Sequence, residues 1–165
     1  MDIKPGLKME KTRVVGPEHI ATHMGSGGVP VYSTPTMVLH MEEVSRLAVQ
    51  PYLDEGQTTV GALIHVEHLA PTPPGMKITV RSELVKIEGR RLTFSVEAWD
   101  EVEKVGQGTH VRVIIDLKRY SQKLADKVAK VDGLAHAVDA AVAPNGSNVA
   151  SPTDATDAAS SHSAG

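Results

Sequence analysis

Three side chains in the first half of the chain, Thr34, Glu42 and His68, are of the types that hydrolyse acyl bonds. A hydroxyl group can attack or hold a water molecule, a carboxylate can act as a base, and an imidazole can stabilise charge. Each residue also has a simpler explanation as a helix cap, an exposed helical carboxylate or a buried histidine bonded to the backbone. The residue types alone therefore admit acyl hydrolysis without requiring it.

Glu42 belongs to a predicted helix over residues 35–50, and Thr34 immediately precedes this helix. Its apolar face is formed by Met37, Met41, Val44 and Ala48, widened by Val38 and Leu47. Thr34 followed by Pro35 predicts the start of the helix, with Thr34 as the N-cap, and Pro51 predicts its end.

Glu42 lies at the flank of the apolar face, where periodicity does not distinguish it from Glu43. A straight helix rises about 1.5 Å per residue, so Thr34 and Glu42 would differ in level by about 12 Å. They can meet one substrate if Thr34 lies on a loop that folds back, or if the ligand spans that distance.

The third residue, His68, ends the first of four alternating runs, which cover residues 58–69, 76–87, 90–99 and 105–117. Alternation places His68 on one face with Val60, Ala62, Ile64 and Val66. The short connections, including TPPG at 72–75, predict antiparallel neighbours, and the prolines should hold the strand end that carries the imidazole.

One long helix with an apolar face and an antiparallel sheet with an apolar face predict an α+β fold in which the sheet curls around the helix. An additional strand over residues 7–15 would complete the sheet. In the last run the side chains alternate between Val111, Val113, Ile115 and Leu117 on one face and His110, Arg112 and Asp116 on the other.

Composition excludes several classes of function. The net charge of -3, from 17 basic and 20 acidic residues, gives no global field for nucleic acid or an anionic membrane. No cysteine is present, and alternation points His65 and His68 to opposite faces, so we expect neither disulfides nor a metal site. The first twenty residues contain no signal-peptide region, which predicts a cytoplasmic protein.

The chain should contain one globular domain over residues 1–120, followed by a weak helix and a tail. Residues 121–143 carry a helical seam of small apolar residues, namely Leu124, Val128, Val131, Ala135, Val138 and Val142. Gly133 interrupts this seam. Residues 144–165 are mostly Ala, Ser, Thr, Asp, Asn, Pro and Gly, which predicts a disordered tail.

The run from Thr34 to about Tyr120 resembles the fluoroacetyl-coenzyme A thioesterase family of hotdog-fold proteins. The similarity rests on ME at 41–42, PYL at 51–53, VGALIHVEHLAPTPPG at 60–75, EGRRLTFSVEAWD at 88–100 and GQGTH at 106–110 with Arg112. The resemblance implies a hotdog fold, hydrolysis of an acyl-CoA thioester without a cofactor, and a homodimer with active sites at or near the joined sheet edges.

The resemblance also implies roles for individual residues. Thr34, Glu42 and His68 match the residues that act on the thioester in the family, which decides between Glu42 and Glu43, and Gly61 and Arg112 match residues that line the site. The phosphates of CoA need cations, for which Arg90 and Arg91 are candidates, along with Lys86, Lys118 and Arg119.

The resemblance does not extend to the segment before the threonine. Family members specific for fluoroacetyl-CoA carry phenylalanines there, whereas this chain has GSGGVPVYST at 25–34 and a single phenylalanine, Phe94, on a predicted strand. We therefore expect a general acyl-CoA substrate. Two alternatives remain: a hotdog hydratase or dehydratase, and a non-catalytic acyl-CoA sensor.

Overall fold

The computed structural model describes residues 3–131 of the 165-residue chain. The elements are β1 (Lys8–Val14), α1 (Thr34–Val49), β2 (Gln57–His68), β3 (Lys77–Glu88), β4 (Arg91–Trp99), β5 (Lys104–Asp116) and α2 (Leu117–Val128), with single 3-10 turns at Pro17–His19 and Gln50–Tyr52. The strands form one antiparallel sheet in the order β1-β3-β4-β5-β2. The predicted α+β fold is confirmed.

The sheet packs on α1, as its apolar pattern predicted. Met37, Met41, Val44 and Ala48 are buried. They belong to a core cluster with the inward residues of the sheet, chiefly Ile78, Val80, Leu84, Leu92, Phe94, Val96, Ala98 and Ile114. Burying each large apolar side chain contributes roughly 1.5–3 kcal/mol, so this face fixes the helix against the sheet.

The N-cap of α1 is Ser33, one residue before the predicted cap at Thr34. Ser33 has an extended backbone, with φ -83° and ψ 147°, and its Oγ accepts a hydrogen bond from the backbone N–H of Thr36 at 3.2 Å. Thr34 is instead the first helical residue. The Thr34 hydroxyl group therefore does not cap the helix and can bond to another residue.

The predicted pairing of β2 with β3 across the TPPG turn is wrong. β2 pairs with β5, whereas β3 pairs with β1 and β4, so residues 69–76 cross between the two ends of the sheet order. The crossing segment is fixed by backbone bonds, from Leu69 N–H to Val105 O and from Tyr32 N–H to Thr72 O, both 2.8 Å. Prolines cannot donate to a strand ladder, which suits them to this connection.

The predicted inward face of β2 is wrong for Val60 and Ala62. The register shifts between Gly61 and Leu63, so that Thr59 is buried while Ala62 is exposed. One extra residue in a strand exchanges the faces beyond it, which simple alternation cannot show. Beyond the shift, Ile64 and Val66 pack on the core as predicted.

The end of the chain is described only in part. Among the described residues, those up to Lys123 belong to one compact unit and those from Leu124 onward to a second. The helix predicted from residue 121 begins at Leu117. Residues 132–165, which include the rest of that predicted helix and the predicted tail, lie outside the described residues, and the proposed domain boundary at residue 120 stays a prediction.

A buried tyrosine and a buried histidine form a polar pair inside the core. The Tyr32 hydroxyl group lies 2.8 Å from Nδ1 of His40, and both residues are almost inaccessible to solvent. Burial lowers the pKa of His40 to about 4, and the nearby Arg13 and His19 act in the same direction. Burial also raises the pKa of Tyr32.

The capping geometry predicts that adjacent hydroxyl residues differ in their effect on stability. Ser33→Ala should lower the free energy of unfolding by about 1 kcal/mol, because Thr36 N–H loses its acceptor. Thr34→Ala should change it by less than about 0.5 kcal/mol. Urea unfolding of both variants checks this, and a larger loss in Thr34→Ala would contradict the assignment of the cap.

The buried His40 predicts a loss of stability in acid. Between its ordinary pKa of 6.5 and about 4, the unfolded chain binds a proton at His40 that the folded chain does not. The free energy of unfolding should therefore fall as the pH falls through this window. His40→Gln should reduce that fall by on the order of 2 kcal/mol between pH 7 and 4.5. Urea unfolding across this pH range measures it.

A matched control is His23→Gln, which changes an exposed histidine outside the sheet. It should keep the wild-type dependence on pH. An unchanged slope in His40→Gln would show that His40 does not control this part of the acid response.

Candidate active site

Thr34 and His68 form a hydrogen-bonded pair at one end of the molecule. The N-terminus of α1 carries Thr34, the end of β2 carries His68, and Thr34 Oγ1 lies 2.8 Å from His68 Nδ1. Thr34 is exposed and His68 is half-buried. The structure thus brings together two of the three residues predicted to act on an acyl bond.

The surroundings of His68 fix its orientation and keep it uncharged. The ring of Tyr32 contacts it edge-on, with the ring centroids 6.4 Å apart. Burial lowers the pKa of His68, while the nearby backbone of Ala70 acts in the opposite direction. The imidazole is therefore neutral at neutral pH and can accept a proton.

The remaining ring nitrogen, His68 Nε2, is buried and has no hydrogen-bond partner within residues 3–131. Leaving a buried polar atom unpaired is costly unless a ligand or water reaches it. The crossing segment holds the strand end in place through the backbone bonds described above, and Thr72 also donates its hydroxyl hydrogen to Asp100 at 3.1 Å. The proline-rich segment therefore does hold the imidazole, as a crossing rather than as a hairpin.

Glu42 belongs to a second polar group, two turns further along α1. Its Oε1 lies 3.8 Å from Arg112 Nη1 and 3.6 Å from His110 Nε2. A β-carbon added to Gly61 would collide with the same oxygen, so the glycine allows the carboxylate to approach β2. Gly61 and Arg112, predicted to line the site, do lie beside Glu42.

Glu43 faces a different part of the molecule. It pairs with Lys11 and Arg13 of β1, each at 2.6 Å. The two adjacent carboxylates are thus distinguished by their partners: Glu43 is held in ion pairs with β1, whereas Glu42 lies within 4 Å of His110 and Arg112.

An open cleft of about 490 Å³ gives access to Glu42. Its lining includes Leu39, Glu42, Glu43, Arg46, Thr59, Val60, Gly61 and Arg112. The guanidinium group of Arg112 is buried and donates from Nε to Thr59 Oγ1 and from Nη2 to Thr59 O, both at 2.8 Å. It brings a fixed positive charge to the wall of the cleft.

The two polar groups are separate within one chain. Thr34 and Glu42 are eight residues apart on the same helix, which corresponds to about 12 Å along its axis. Neither Thr34 nor His68 lines the cleft at Glu42. The fold-back of Thr34 that would join them in one chain does not occur, because Thr34 is part of the helix.

Arg90 and Arg91 lie outside this cleft. Both residues are exposed. Arg90 lines a surface groove with Arg119 and Lys123 near the end of β5. Arg91 lies opposite Val113 in the pairing of β4 with β5. Their predicted contact with the phosphates of CoA stays a prediction.

His110 was not among the residues predicted for the site. The alternation of the last strand placed His110 on the same face as Arg112, and this shared face is the signal that could have indicated it. The structure turns this polar face toward α1, since Arg112 reaches Glu42 and Ile114 joins the core.

Two searches of the described residues 3–131 were negative. They contain no group of three or more His, Cys, Asp or Glu side chains placed to hold a metal ion. No helix among them is both long enough and apolar enough to cross a membrane.

Comparison with known proteins identifies the family. Residues 15–118 match the family model described as "FlK: Fluoroacetyl-CoA-specific thioesterase". The fluoroacetyl-CoA thioesterase of Streptantibioticus cattleyicolor is 43% identical over 97 residues, which is 59% of this chain and 70% of that protein.

Solved structures agree with the match to the family model. The crystal structure of the fluoroacetyl-CoA thioesterase FlK superposes with a TM-score of 0.72 at 35% identity, covering 77% of this chain and 98% of that one. A hot-dog-like protein from Thermanaerovibrio acidaminovorans superposes with a TM-score of 0.71 at 22% identity, over 77% and 97% of the two chains, and supports the fold alone. This hotdog-fold chain belongs to the fluoroacetyl-CoA-specific thioesterase family.

Proposed function

We propose that the protein hydrolyses an acyl-CoA thioester to a free acid and CoA. Membership of the family supports the reaction class, and the hydrogen bond between Thr34 and His68 is the observation that carries the proposal for this chain. A hydroxyl group bonded to a neutral imidazole is an arrangement in which the ring can take a proton from an attacking oxygen.

The reaction needs a nucleophile and two proton transfers. A carbon–oxygen bond forms at the thioester carbonyl, the carbon–sulfur bond breaks, and the departing thiolate receives a proton. His68 and Glu42 are the titratable groups that share these transfers, while Thr34 holds the attacking water. Where Thr34 or Glu42 attacks instead, the acyl group is first bound to that residue as an ester or an anhydride, and a water molecule then releases the acid. Arg112 and the backbone amides near Gly61 face the cleft where negative charge would develop on the carbonyl oxygen.

The proposal requires a homodimer, because Glu42 does not meet Thr34 and His68 within one chain. β2 is an edge strand of twelve residues, and Leu63 on it is half-exposed. Twofold antiparallel pairing of two β2 strands about residues 64 and 65 would place His68 of one protomer beside Gly61 of its partner. The Thr34–His68 pair of one subunit would then face the Glu42 cleft of the other.

The acyl group need not be fluorinated. Tyr32 is the one aromatic residue in the segment 20–33 before Thr34, and it is buried. Phe94 lies in the core on β4. With no aromatic gate before the catalytic threonine, we propose similar turnover of acetyl-CoA and fluoroacetyl-CoA. The CoA phosphates would be met by exposed cations such as Arg90 and Arg91, and the cytoplasmic location stays a prediction from the sequence.

The wild-type protein should release thiol from acetyl-, propionyl- and fluoroacetyl-CoA. Thr34→Ala, His68→Asn and Glu42→Gln should each lower kcat/KM by roughly 100-fold or more, because each removes a group from proton transfer or attack. A thiol-reactive dye follows the release. Glu10→Gln is a matched control for Glu42→Gln, since Glu10 is an exposed carboxylate on β1, at the opposite edge of the sheet, and it should keep wild-type turnover.

The same assay separates the alternatives. Binding of acyl-CoA without thiol release by the wild type would favour a non-catalytic sensor. Hydration of an unsaturated acyl-CoA, with the thioester intact, would favour a hydratase. Equal release by wild type and His68→Asn would remove His68 from the mechanism.

A site shared between subunits predicts complementation between two inactive variants. In a hybrid dimer of Glu42→Gln and His68→Asn subunits, one of the two sites contains an intact Glu42 and an intact His68. Unfolding and refolding the two variants together should restore about a quarter of wild-type activity, since about half of the dimers are hybrids with one intact site. Thiol release and sedimentation measure activity and oligomeric state.

Each variant refolded alone is the control and should remain inactive. A monomeric wild-type protein that retains full activity, or hybrid dimers without activity, would contradict the shared site.

A further inference from the structure

His110 is a buried histidine whose two ring nitrogens are both engaged. Its side chain is only 1% exposed and lies against the ring of Phe94, with the centroids 6.4 Å apart. Nδ1 lies 2.8 Å from the backbone oxygen of Leu63, at the register shift of β2. Nε2 lies 3.1 Å from Nη1 of Arg112.

These two contacts together determine the tautomer. A carbonyl oxygen can only accept a hydrogen bond, so Nδ1 must carry the proton that it donates to Leu63. A guanidinium nitrogen can only donate, so Nε2 must offer its lone pair to Arg112. The ring is therefore neutral, and its Nε2, 3.6 Å from Glu42 Oε1, does not form an ion pair with that carboxylate.

The contacts of Arg112 show what this lone pair does. Thr59 accepts hydrogen bonds from Nε and Nη2, whereas Nη1 points to His110 Nε2 and lies near the carboxylate and the backbone oxygen of Glu42, at 3.8 and 3.5 Å. His110 is thus the nearest acceptor for the nitrogen that faces Glu42. A protonated ring there would instead place a positive charge 3.1 Å from the guanidinium group.

We propose that His110 is a positioning residue, which acts through Arg112 by using the Nε2 lone pair to hold the guanidinium group toward Glu42. The inference rests on the proposed function, since Glu42 and Arg112 belong to the site proposed above. His110 does not itself touch the substrate in this account.

The surroundings keep the acceptor available. Burial lowers the pKa of His110, and the charge of Arg112 lowers it further. The hydrogen bond to Leu63 and the charge of Glu42 raise this pKa. Arg112 and Glu42 are the charged groups that act on the ring, and Phe94 contributes an apolar surface.

Two substitutions of His110 each remove the hydrogen bond of one ring nitrogen and keep that of the other. The side-chain amide of Asn reaches the position of Nδ1 and can donate to Leu63, but it leaves Arg112 without the acceptor. The longer Gln places an amide oxygen near the position of Nε2 and loses the bond to Leu63. His110→Asn therefore keeps the structural contact, whereas His110→Gln keeps the contact with Arg112.

The proposal predicts that the two variants differ in activity. Both should unfold at a lower urea concentration than the wild type, because each leaves a buried partner of the ring without its hydrogen bond. His110→Asn should also lose at least about tenfold in kcat with acetyl-CoA, while KM changes less than about threefold. His110→Gln should keep kcat within about threefold of wild type. Equal losses of kcat in the two variants, or better activity in His110→Asn, would overturn the proposal.

A measurement on the unmodified protein tests the same geometry without relying on activity. Nitrogen NMR of the histidine rings should show His110 protonated at Nδ1 and unprotonated at Nε2 at neutral pH. A proton on Nε2 would overturn the proposal, including in the case that the variants do not fold. If the wild type releases no thiol, the proposed function fails, and the NMR result still decides the placement of Arg112.

Discussion

A buried guanidinium group determines how the central part of this protein is built. A charge removed from water must be surrounded by hydrogen-bond partners, because leaving it unpaired costs several kcal/mol. Arg112 obtains them from β2 through Thr59 and from its own strand through His110. Thr59 faces inward because the register of β2 shifts only after Gly61, the residue paired with Arg112. The irregularity in β2 and the absence of a side chain at Gly61 thus both serve one charged group.

The length of α1 places Glu42 at a distance from the Thr34–His68 pair. Apolar packing sets the position of α1 on the sheet, so its first turn lies at the end of β2 and its third turn lies at Arg112. A rigid helix cannot shorten this separation. A twofold axis reverses the direction of the second copy, and so can bring the beginning of one β2 strand beside the end of the other. The separation within one chain thus becomes an argument for a site shared by two.

Local sequence patterns predicted the helix and the strands of the sheet, because repeats of 3.6 and of two residues are characteristic of these elements. In β5 the alternation did not show which face is buried, since the face with His110, Arg112 and Ile114 is turned toward α1. Pairing of β2 with β5 depends on residues far apart in the chain, and the short TPPG connection favoured the wrong neighbour. Alternation also failed at Ala62, since an extra residue changes the backbone and leaves no periodic signal. The residues of the candidate site were predicted from the family resemblance, because periodicity did not distinguish Glu42 from Glu43. His110 was missed because a histidine beside valines in an alternating run resembles an exposed polar face.

Burial affects the charge of histidine and arginine side chains differently in this protein. It lowers the pKa of His40, His68 and His110 alike, so none of these three rings carries a charge at neutral pH. A neutral imidazole can accept a proton or a hydrogen bond, but it cannot balance the negative charge that develops on a thioester oxygen. That charge must be met by a group that stays protonated when buried, and arginine has this property. In the proposed mechanism His68 therefore exchanges protons and Arg112, held by His110, supplies the positive charge.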